Sequence, residues 1–224
     1  MKNIESIKPL KLNSEEQDIW FTSDLHFNHQ NIIRFCNRPW SNVGDMDEAL
    51  ITNWNSVVKE NDIVFNLGDF AFAPSSKWKE YLSRLNGRHI LILGNHEITR
   101  WPGDKIISLF ERVEQQLLLK IDGRYVYLNH YPYLCFAGAY RDLNNGAVFN
   151  LFGHVHSGPN IEGKDKNRLR YLFPYQYDVG VDNNNYYPVS WEEVCDKIER
   201  QVKNYVDLVE HSKNPTIPDE IYKQ

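Results

Sequence analysis

The sequence predicts an α/β fold in which parallel strands alternate with helices and a hairpin adds antiparallel strands. Three observations lead to this prediction: short apolar runs that each end in polar residues, helical periodicity between these runs, and an Asp-Gly pair in the middle of the chain. Alternating strands and helices are typical of parallel sheets with crossover helices. Asp-Gly between two strand-like runs is a strong hairpin signal.

The elements follow in order along the chain. Apolar runs at 19–22, 62–67 and 89–93 predict three buried strands. Between them, apolar residues recur at helical spacing over 47–59 and 75–85, which predicts two helices. Residues 114–121 and 124–129 flank Asp122-Gly123 and predict the hairpin, strands are expected at 147–152 and 177–181, and a helix is expected over 192–206.

Length and composition favour one domain. The chain has 224 residues with 42% hydrophobic residues, enough for a sizeable core. We expect a polar N-terminal extension over 1–17, a domain over 18–207 and a tail over 208–224. The net charge of −5 argues against a broad electrostatic contact with nucleic acid or anionic membranes.

The cysteines and the hydropathy of the chain restrict its location. Three widely spaced cysteines form neither a disulfide framework nor a CxxC metal pattern, which favours a reducing cytoplasm. No apolar run reaches the roughly 18 residues that a membrane-spanning helix needs, and the N-terminus lacks a signal-peptide pattern. Nothing in the sequence indicates an oligomeric state.

Polar residues cluster where the predicted strands end. Because ligands bind outside the carboxyl ends of strands in open α/β sheets, these positions form the candidate site. The segments are D-x-H after the first strand, G-D after the second, G-N-H-E after the third, N-H after the hairpin, and G-H-x-H after the next strand. Their residues are Asp24, His26, Asp69, Asn95, His96, His130, His154 and His156.

These residue types suit divalent metal ions. Imidazole and carboxylate ligands together favour Mn, Fe, Zn, Co or Ni, and one carboxylate can bridge two ions through its two oxygens. With a bridging hydroxide, such a centre would keep a net positive charge and attract phosphate. His154 and His156 lie two residues apart, so an extended chain would direct both side chains the same way.

At this point the sequence resembles the calcineurin-like metallophosphoesterases. The matching pattern is D-x-H, G-D, G-N-H-[D/E], H and G-H-x-H, and it runs from Asp24 to His156. The segments HFNHQNIIRFCNRPW, MDEALITNWN and GVDNNNYYPVSWEEV are similar to a subgroup of small stand-alone bacterial and phage members. The resemblance implies two stacked mixed β-sheets flanked by helices, a four-layer sandwich.

The resemblance also implies residue roles. One ion would be held by Asp24, His26, Asp69 and His156, and the second by Asp69, Asn95, His130 and His154, with Asp69 bridging. His96 would not bind metal but would face the substrate and assist the leaving oxygen. A hydroxide that bridges the ions would attack phosphorus in line, as two ions lower the pKa of a shared water.

Substrate contacts are less constrained. The residues after Asp69 are Phe-Ala-Phe-Ala, where protein Ser/Thr phosphatases carry an Asp and an Arg, so a protein-phosphatase role is not expected. Glu97 is a candidate for orienting His96. The phosphate contacts are sought among His29, Arg34, Arg38 and Arg141, with His29 and Arg38 favoured. A basic run at 164–170 is either a solvated loop or an attractant for a phosphate-rich substrate.

The predicted function is therefore that of a metal-dependent phosphoesterase acting on a small phosphorylated substrate, either a phosphodiester or a phosphomonoester. Two alternatives stay open. The first is a nuclease of the same family, against which the acidic net charge counts. The second is a non-catalytic metal-binding interaction module, which would be expected to lose His96 or the metal ligands.

Overall fold

The computed structural model describes residues 8–99, 104–139, 141, 146–158 and 172–211. Within them, two mixed β-sheets of five strands each are flanked by helices. The strands are β1 Leu10–Leu12, β2 Ile19–Thr22, β3 Ile63–Asn66, β4 Arg88–Ile92, β5 Arg112–Glu114, β6 Gln116–Ile121, β7 Arg124–Asn129, β8 Phe149–Phe152, β9 Gln176–Asp178 and β10 Val189–Ser190. The helices are α1 Gln30–Phe35, α2 Val43–Val57, α3 Ser75–Leu82, α4 Asn95–Thr99 and α5 Trp191–His211, with short 3-10 turns at Asp104–Leu109 and Val181–Asn183.

The first sheet has the strand order β10-β2-β3-β4-β5. Strands β2 to β5 run parallel, with Phe21 opposite Phe65 and Phe65 opposite Ile90, while β10 pairs antiparallel with β2. The second sheet has the order β1-β6-β7-β8-β9, in which β6 and β7 form the antiparallel hairpin. The predicted class of two mixed sheets flanked by helices is confirmed.

The two sheets face each other across the main core. Side chains from both sheets share one buried cluster, including Phe21 and Ile90 from the first and Leu119 and Leu151 from the second. A second cluster lies on the other face of the first sheet, where α2 and α3 contribute residues such as Trp54 and Trp78. This double burial explains the near-continuous apolar runs of the parallel strands.

Several boundaries differ from the prediction. The predicted polar extension over 1–17 contains a strand that was not expected, since Leu10–Leu12 pairs parallel with β6 as an edge strand. Three residues are too few to show periodicity, and their partner lies more than a hundred residues away. The predicted strand 114–121 divides into β5 and β6, which belong to different sheets. Helix α5 extends to His211, four residues into the predicted tail, and 212–224 lie outside the described residues.

Among the described helices, none is both long and apolar enough to cross a membrane.

Candidate metal centre

Polar segments from both sheets meet at one place, at the carboxyl ends of their strands. Asp24 and His26 follow β2, Asp69 follows β3, and Asn95 opens α4 after β4. From the second sheet, β7 leads into His130 and β8 leads into the segment that carries the last two histidines. The residues that the sequence singled out therefore come together, as the parallel arrangement requires.

Asp24, His26 and His156 form what we call the first cluster. The Nε2 atom of His26 lies 3.9 Å from Asp24 Oδ1, and His156 Nε2 lies 3.7 Å from the same oxygen. These separations are longer than hydrogen bonds. They are instead compatible with ligand atoms that each lie about 2 Å from one shared cation.

Asp69, Asn95 and His130 form the second cluster. His130 Nε2 lies 3.6 Å from Asp69 Oδ1 and 3.0 Å from Asn95 Oδ1. The other oxygen of Asp69, Oδ2, lies 3.5 Å from His26 Nε2 in the first cluster. The two oxygens of this one carboxylate thus face different clusters.

His154 and His156 do not point the same way, because the chain is not extended there. Both residues have positive φ angles, 70° and 46°. The ring of His156 stacks on His26 at 5.2 Å in the first cluster, whereas the ring of His154 lies 5.1 Å from His130 in the second. The prediction of a shared direction is wrong, and the bend separates the two rings.

Unpaired buried atoms show that this donor set fits a divalent cation. Among the described residues, Asp24 Oδ1 and His26 Nε2 are buried and accept or donate no hydrogen bond. A buried polar atom without a partner costs about 1–3 kcal/mol. A cation bound between them would satisfy both atoms, and the mixture of imidazole, carboxylate and amide is one that borderline divalent ions prefer.

The electrostatics of the site favour cation binding as well. Burial and the neighbouring Asp24 raise the pKa of Asp69 to about 8. Burial lowers the pKa of His130 to about 4 and, with His156 nearby, lowers the pKa of His26. His26 and His130 are thereby held neutral, which is the form that binds metal. The pKa of His156 shifts the other way: burial alone would lower it, but the neighbouring Asp24 and Asp182 raise it well above its usual value. A divalent cation would attract the closely spaced carboxylates and so lower their raised pKa values.

The backbone is strained at the same positions. Besides the two histidines after β8, Asp24, His26 and Asp69 have φ angles of 58°, 54° and 54°. Side chains other than glycine seldom adopt this left-handed region, and such strain concentrates at functional sites.

Two glycines let the backbone pass close to the carboxylates. A Cβ added to Gly94 would collide with Asp69 Oδ1, and a Cβ added to Gly153 would collide with Asp24 Oδ2 and Ser23. The G-N-H and G-H-x-H patterns therefore require glycine for reasons of space. These glycines are part of the site because of the space they leave, although they have no side chain that could bind a metal ion.

Comparisons with known proteins agree with this geometry. The family model for calcineurin-like phosphoesterases matches residues 18–223. The chain belongs to this family.

Similar proteins come from archaea, phages and bacteria. An uncharacterised protein of Methanocaldococcus jannaschii is 32% identical over 191 residues, covering 81% of this chain and 92% of that relative. The Gene 66 protein of Mycobacterium phage L5 is 30% identical over 216 residues, covering 86% and 94%.

A solved structure of a similar protein confirms the fold. A protein of unknown function from Aquifex aeolicus is 26% identical, with a TM-score of 0.59, covering 80% of this chain and 98% of that chain. A Pseudomonas putida nuclease, at 18% identity and a TM-score of 0.40 over 62% of this chain and 60% of that chain, is too distant to inform activity.

In this member of the family, Arg38 does not lie where a substrate contact was expected. Its side chain is fully buried and paired with Asp182, with Nε and Nη2 each donating at 2.9 Å. Its remaining donors bind the carbonyl oxygens of Asp24 and Leu25 at 2.7 and 2.9 Å. The expectation that Arg38 binds substrate is therefore wrong, because its donors are used inside the protein.

Asp182 completes this network and was missed by the sequence reasoning. Its Oδ2 accepts from His156 Nδ1 at 2.6 Å, which directs His156 Nε2 towards Asp24. Such carboxylate–histidine pairs orient metal ligands and increase their basicity. Asp182 lies in the GVDNNN segment, but only the fold brings it next to Arg38, 144 positions away.

Glu97 holds the backbone next to Asp69 in place. It is buried, and it accepts hydrogen bonds from the backbone amides of Asp69, Phe70 and Gly94 at 2.7 to 2.9 Å. The hypothesis that it orients the His96 ring is not supported, since its contacts hold the turns after β3 and β4 instead.

Of the remaining predicted residues, His96 and His29 lie beside the clusters. His96 Nε2 is 3.8 Å from Asp69 Oδ2, and its side chain is 26% exposed. His29 is half-buried, with Nδ1 3.3 Å from His26 Nδ1 and its ring stacked on Phe72 at 4.6 Å. Arg34 and Arg141 are exposed, and the basic run 164–170 lies outside the described residues.

Proposed function

We propose that the chain is a metal-dependent phosphoesterase that hydrolyses a small phosphodiester or phosphomonoester. The observation that carries this proposal is Asp69, whose two carboxylate oxygens face His26 and His130 at 3.5 and 3.6 Å. One carboxylate placed between two sets of ligands could hold two ions close together, as two-metal hydrolysis requires.

The two clusters supply the proposed ligands. The first ion would be held by Asp24, His26, Asp69 and His156. The second would be held by Asp69, Asn95, His130 and His154. When bound, two divalent ions would neutralise the phosphate oxygens and activate a water molecule. Mn, Fe, Zn, Co and Ni all suit this donor set.

We assign His96 to the leaving group. Its backbone amide donates to Asp69 Oδ1 at 3.0 Å, so the residue is fixed beside the bridging carboxylate while its ring reaches the open side. A proton at Nε2 would pass to the ester oxygen as the bond between that oxygen and phosphorus breaks. General acid assistance of this kind contributes about 10²–10⁴ in rate.

The overall reaction balances with water alone. The oxygen of one water forms a bond to phosphorus, and the ester oxygen leaves as an alcohol after taking a proton from His96. His96 then recovers a proton from the attacking water by way of solvent. We keep His29 as a contact to the phosphate, since it lies at the opening next to His26.

Two observations separate this proposal from its alternatives. The net charge of −5 disfavours long nucleic acids as substrates, because binding to phosphate backbones depends on basic surfaces. The retention of His96 together with all of the proposed metal ligands disfavours a non-catalytic module, because such a module would be expected to lose them. The cysteines are free thiols, and we include a cytoplasmic location in the proposal.

The test combines metal content with turnover. The protein is loaded with Mn²⁺ and assayed on bis(4-nitrophenyl) phosphate, on 4-nitrophenyl phosphate and on single-stranded DNA. We expect hydrolysis of at least one nitrophenyl ester, and a loss of about a hundredfold or more in His96→Ala with the metal content unchanged.

Other outcomes would select the alternatives. Cleavage of DNA without cleavage of the small esters would select the nuclease. Stoichiometric metal without turnover on any substrate would select the binding module, and absence of metal uptake would overturn the proposal.

A further inference from the structure

An apolar pocket lies directly beside the proposed centre. Its volume is about 290 Å³, and it is lined by Ala71, Phe72, Ala73, Pro74, Trp78 and His96. His96 belongs to both places, because its Nε2 is also 3.8 Å from Asp69 Oδ2. The pocket therefore begins at the residue that we assign to the leaving group.

The pocket offers few polar partners other than His96. The indole nitrogen of Trp78 already donates to the carbonyl oxygen of Ala73 at 3.1 Å. The amide of Phe72 donates to Phe27 at 2.8 Å, and its carbonyl accepts from Asn28 at 3.0 Å. Apart from His96, no side chain that can carry a charge belongs to the lining among the residues that the structure describes. A charged or strongly polar group would lose hydration there without compensation.

Size and shape point to a planar ring. An apolar cavity of about 150 Å³ is enough to bind benzene, so this pocket has room for one ring system. Phe72 contributes an aromatic ring to the lining, and this ring is stacked on His29 at 4.6 Å and 14° and lies edge-on to His96 at 5.8 Å. An aromatic lining favours aromatic groups, which gain both area burial and ring contacts.

We propose that this pocket binds an uncharged aromatic ring on the ester group that leaves with the alcohol. The inference rests on the proposed function and adds the substrate class, namely phosphoesters of alcohols that carry an aryl or nucleobase ring. The reaction is unchanged: the bond from phosphorus to the ring-bearing alcohol breaks, and that alcohol takes the proton from His96.

Binding of uncleavable phosphonates tests the pocket without turnover. Benzylphosphonate and methylphosphonate are titrated by calorimetry into the Mn²⁺-loaded protein. We expect benzylphosphonate to bind about tenfold or more tightly, from burial of the ring. Ala73→Leu, which fills the pocket, should abolish this preference and leave the affinity for methylphosphonate unchanged. Ala137→Leu adds the same volume at an exposed alanine and should keep the preference.

The outcomes separate the two proposals. If neither phosphonate binds to the Mn²⁺-loaded protein, the proposed function is contradicted, because the centre then does not bind a phosphate-like group. If both bind equally well to the unmodified protein, the pocket proposal is overturned while the proposed function stands. The comparison in the unmodified protein decides the matter even if Ala73→Leu does not fold, and retention of the preference in a folded Ala73→Leu would equally contradict the pocket assignment.

Discussion

The two clusters of the candidate centre are supported in different ways. In the first, His156 is held by Asp182, which is itself paired with the buried Arg38. In the second, His130 donates from Nδ1 to the carbonyl oxygen of Leu67 at 2.7 Å. One cluster thus depends on a buried ion pair and the other on the main chain.

This difference has an energetic consequence. A backbone carbonyl is present whatever the side chain, whereas a buried ion pair fails when either partner is removed. We therefore expect the first cluster to be more sensitive to substitution outside the ligands, and the second to be more sensitive to changes in the turns after β3 and β4. Three predictions examine this expectation, in order of decreasing effect, and a fourth concerns a histidine outside both clusters.

The largest loss of metal binding and hydrolysis is expected from a substitution at Asp69, the carboxylate shared by the two clusters. Asp69→Asn keeps the shape of the side chain but removes the negative charge from both clusters, so metal content and hydrolysis should fall together, the latter by about a thousandfold or more. Metal analysis and turnover of bis(4-nitrophenyl) phosphate provide the measurement. Asp18→Asn removes an equal charge from an exposed surface pair and should change neither; unchanged metal content in Asp69→Asn would disprove the bridging role.

The next largest effect is a loss of stability on breaking the buried ion pair of Asp182 and Arg38 beside the first cluster. Asp182→Asn leaves Arg38 buried without its anion, which should lower the free energy of unfolding by about 3–5 kcal/mol. Glu48→Gln removes the partner of Arg84 in an exposed pair and should cost less than about 1 kcal/mol. Urea unfolding measures both. Equal losses of unfolding free energy in the two variants would show that the buried pair contributes no more to stability than the exposed pair.

The two glycines allow each cluster to be disturbed separately. Gly153→Ala places a methyl group against Asp24 and should weaken the first cluster, while Gly94→Ala places one against Asp69 and should weaken both. Such overpacking costs about 1–3 kcal/mol of stability. Metal titration under native conditions measures the affinities of the two sites. Gly44→Ala, in helix α2, is the control, and equal losses of affinity in all three variants would contradict the comparison.

The smallest effect comes from a histidine outside both clusters. Burial lowers the pKa of His89 below 6.5, so the fold favours its neutral form. The unfolded chain binds the proton more readily, and stability should therefore fall as the pH drops below about 6.5 towards the folded pKa. In His89→Gln, the decrease in Tm between pH 7 and pH 5 should be smaller than in the unmodified protein. Identical decreases would mean that His89 does not contribute.

The sequence predicted the parts of the site that depend on strand ends. Asp24, Asp69 and Asn95 were found because each follows a buried apolar run, and parallel strands bring such ends together. Arg38 was misplaced because its burial depends on Asp182, which meets it only in the fold. The contacts of Glu97 with backbone amides were equally invisible, since amides carry no sequence signal.

The fold likewise was predicted where local sequence decides it and not where distant strands pair. The hairpin around Asp122-Gly123 was predicted from local turn chemistry alone, and its second strand, Arg124–Asn129, has the expected bounds. Strand β1 was missed, and β5 and β6 were merged, because both errors depend on which sheet a strand joins. Pairing between distant strands is decided by packing rather than by local pattern.

The left-handed backbone at Asp24, His26, Asp69, His154 and His156 implies a conflict between robustness and activity. Each such residue costs about 1–2 kcal/mol relative to an ordinary conformation, a cost that glycine would not carry. Mutations to glycine at these positions would relax the chain while removing its chemistry. A search for more heat-resistant variants that ignored turnover would therefore be drawn first to the residues that the protein can least spare.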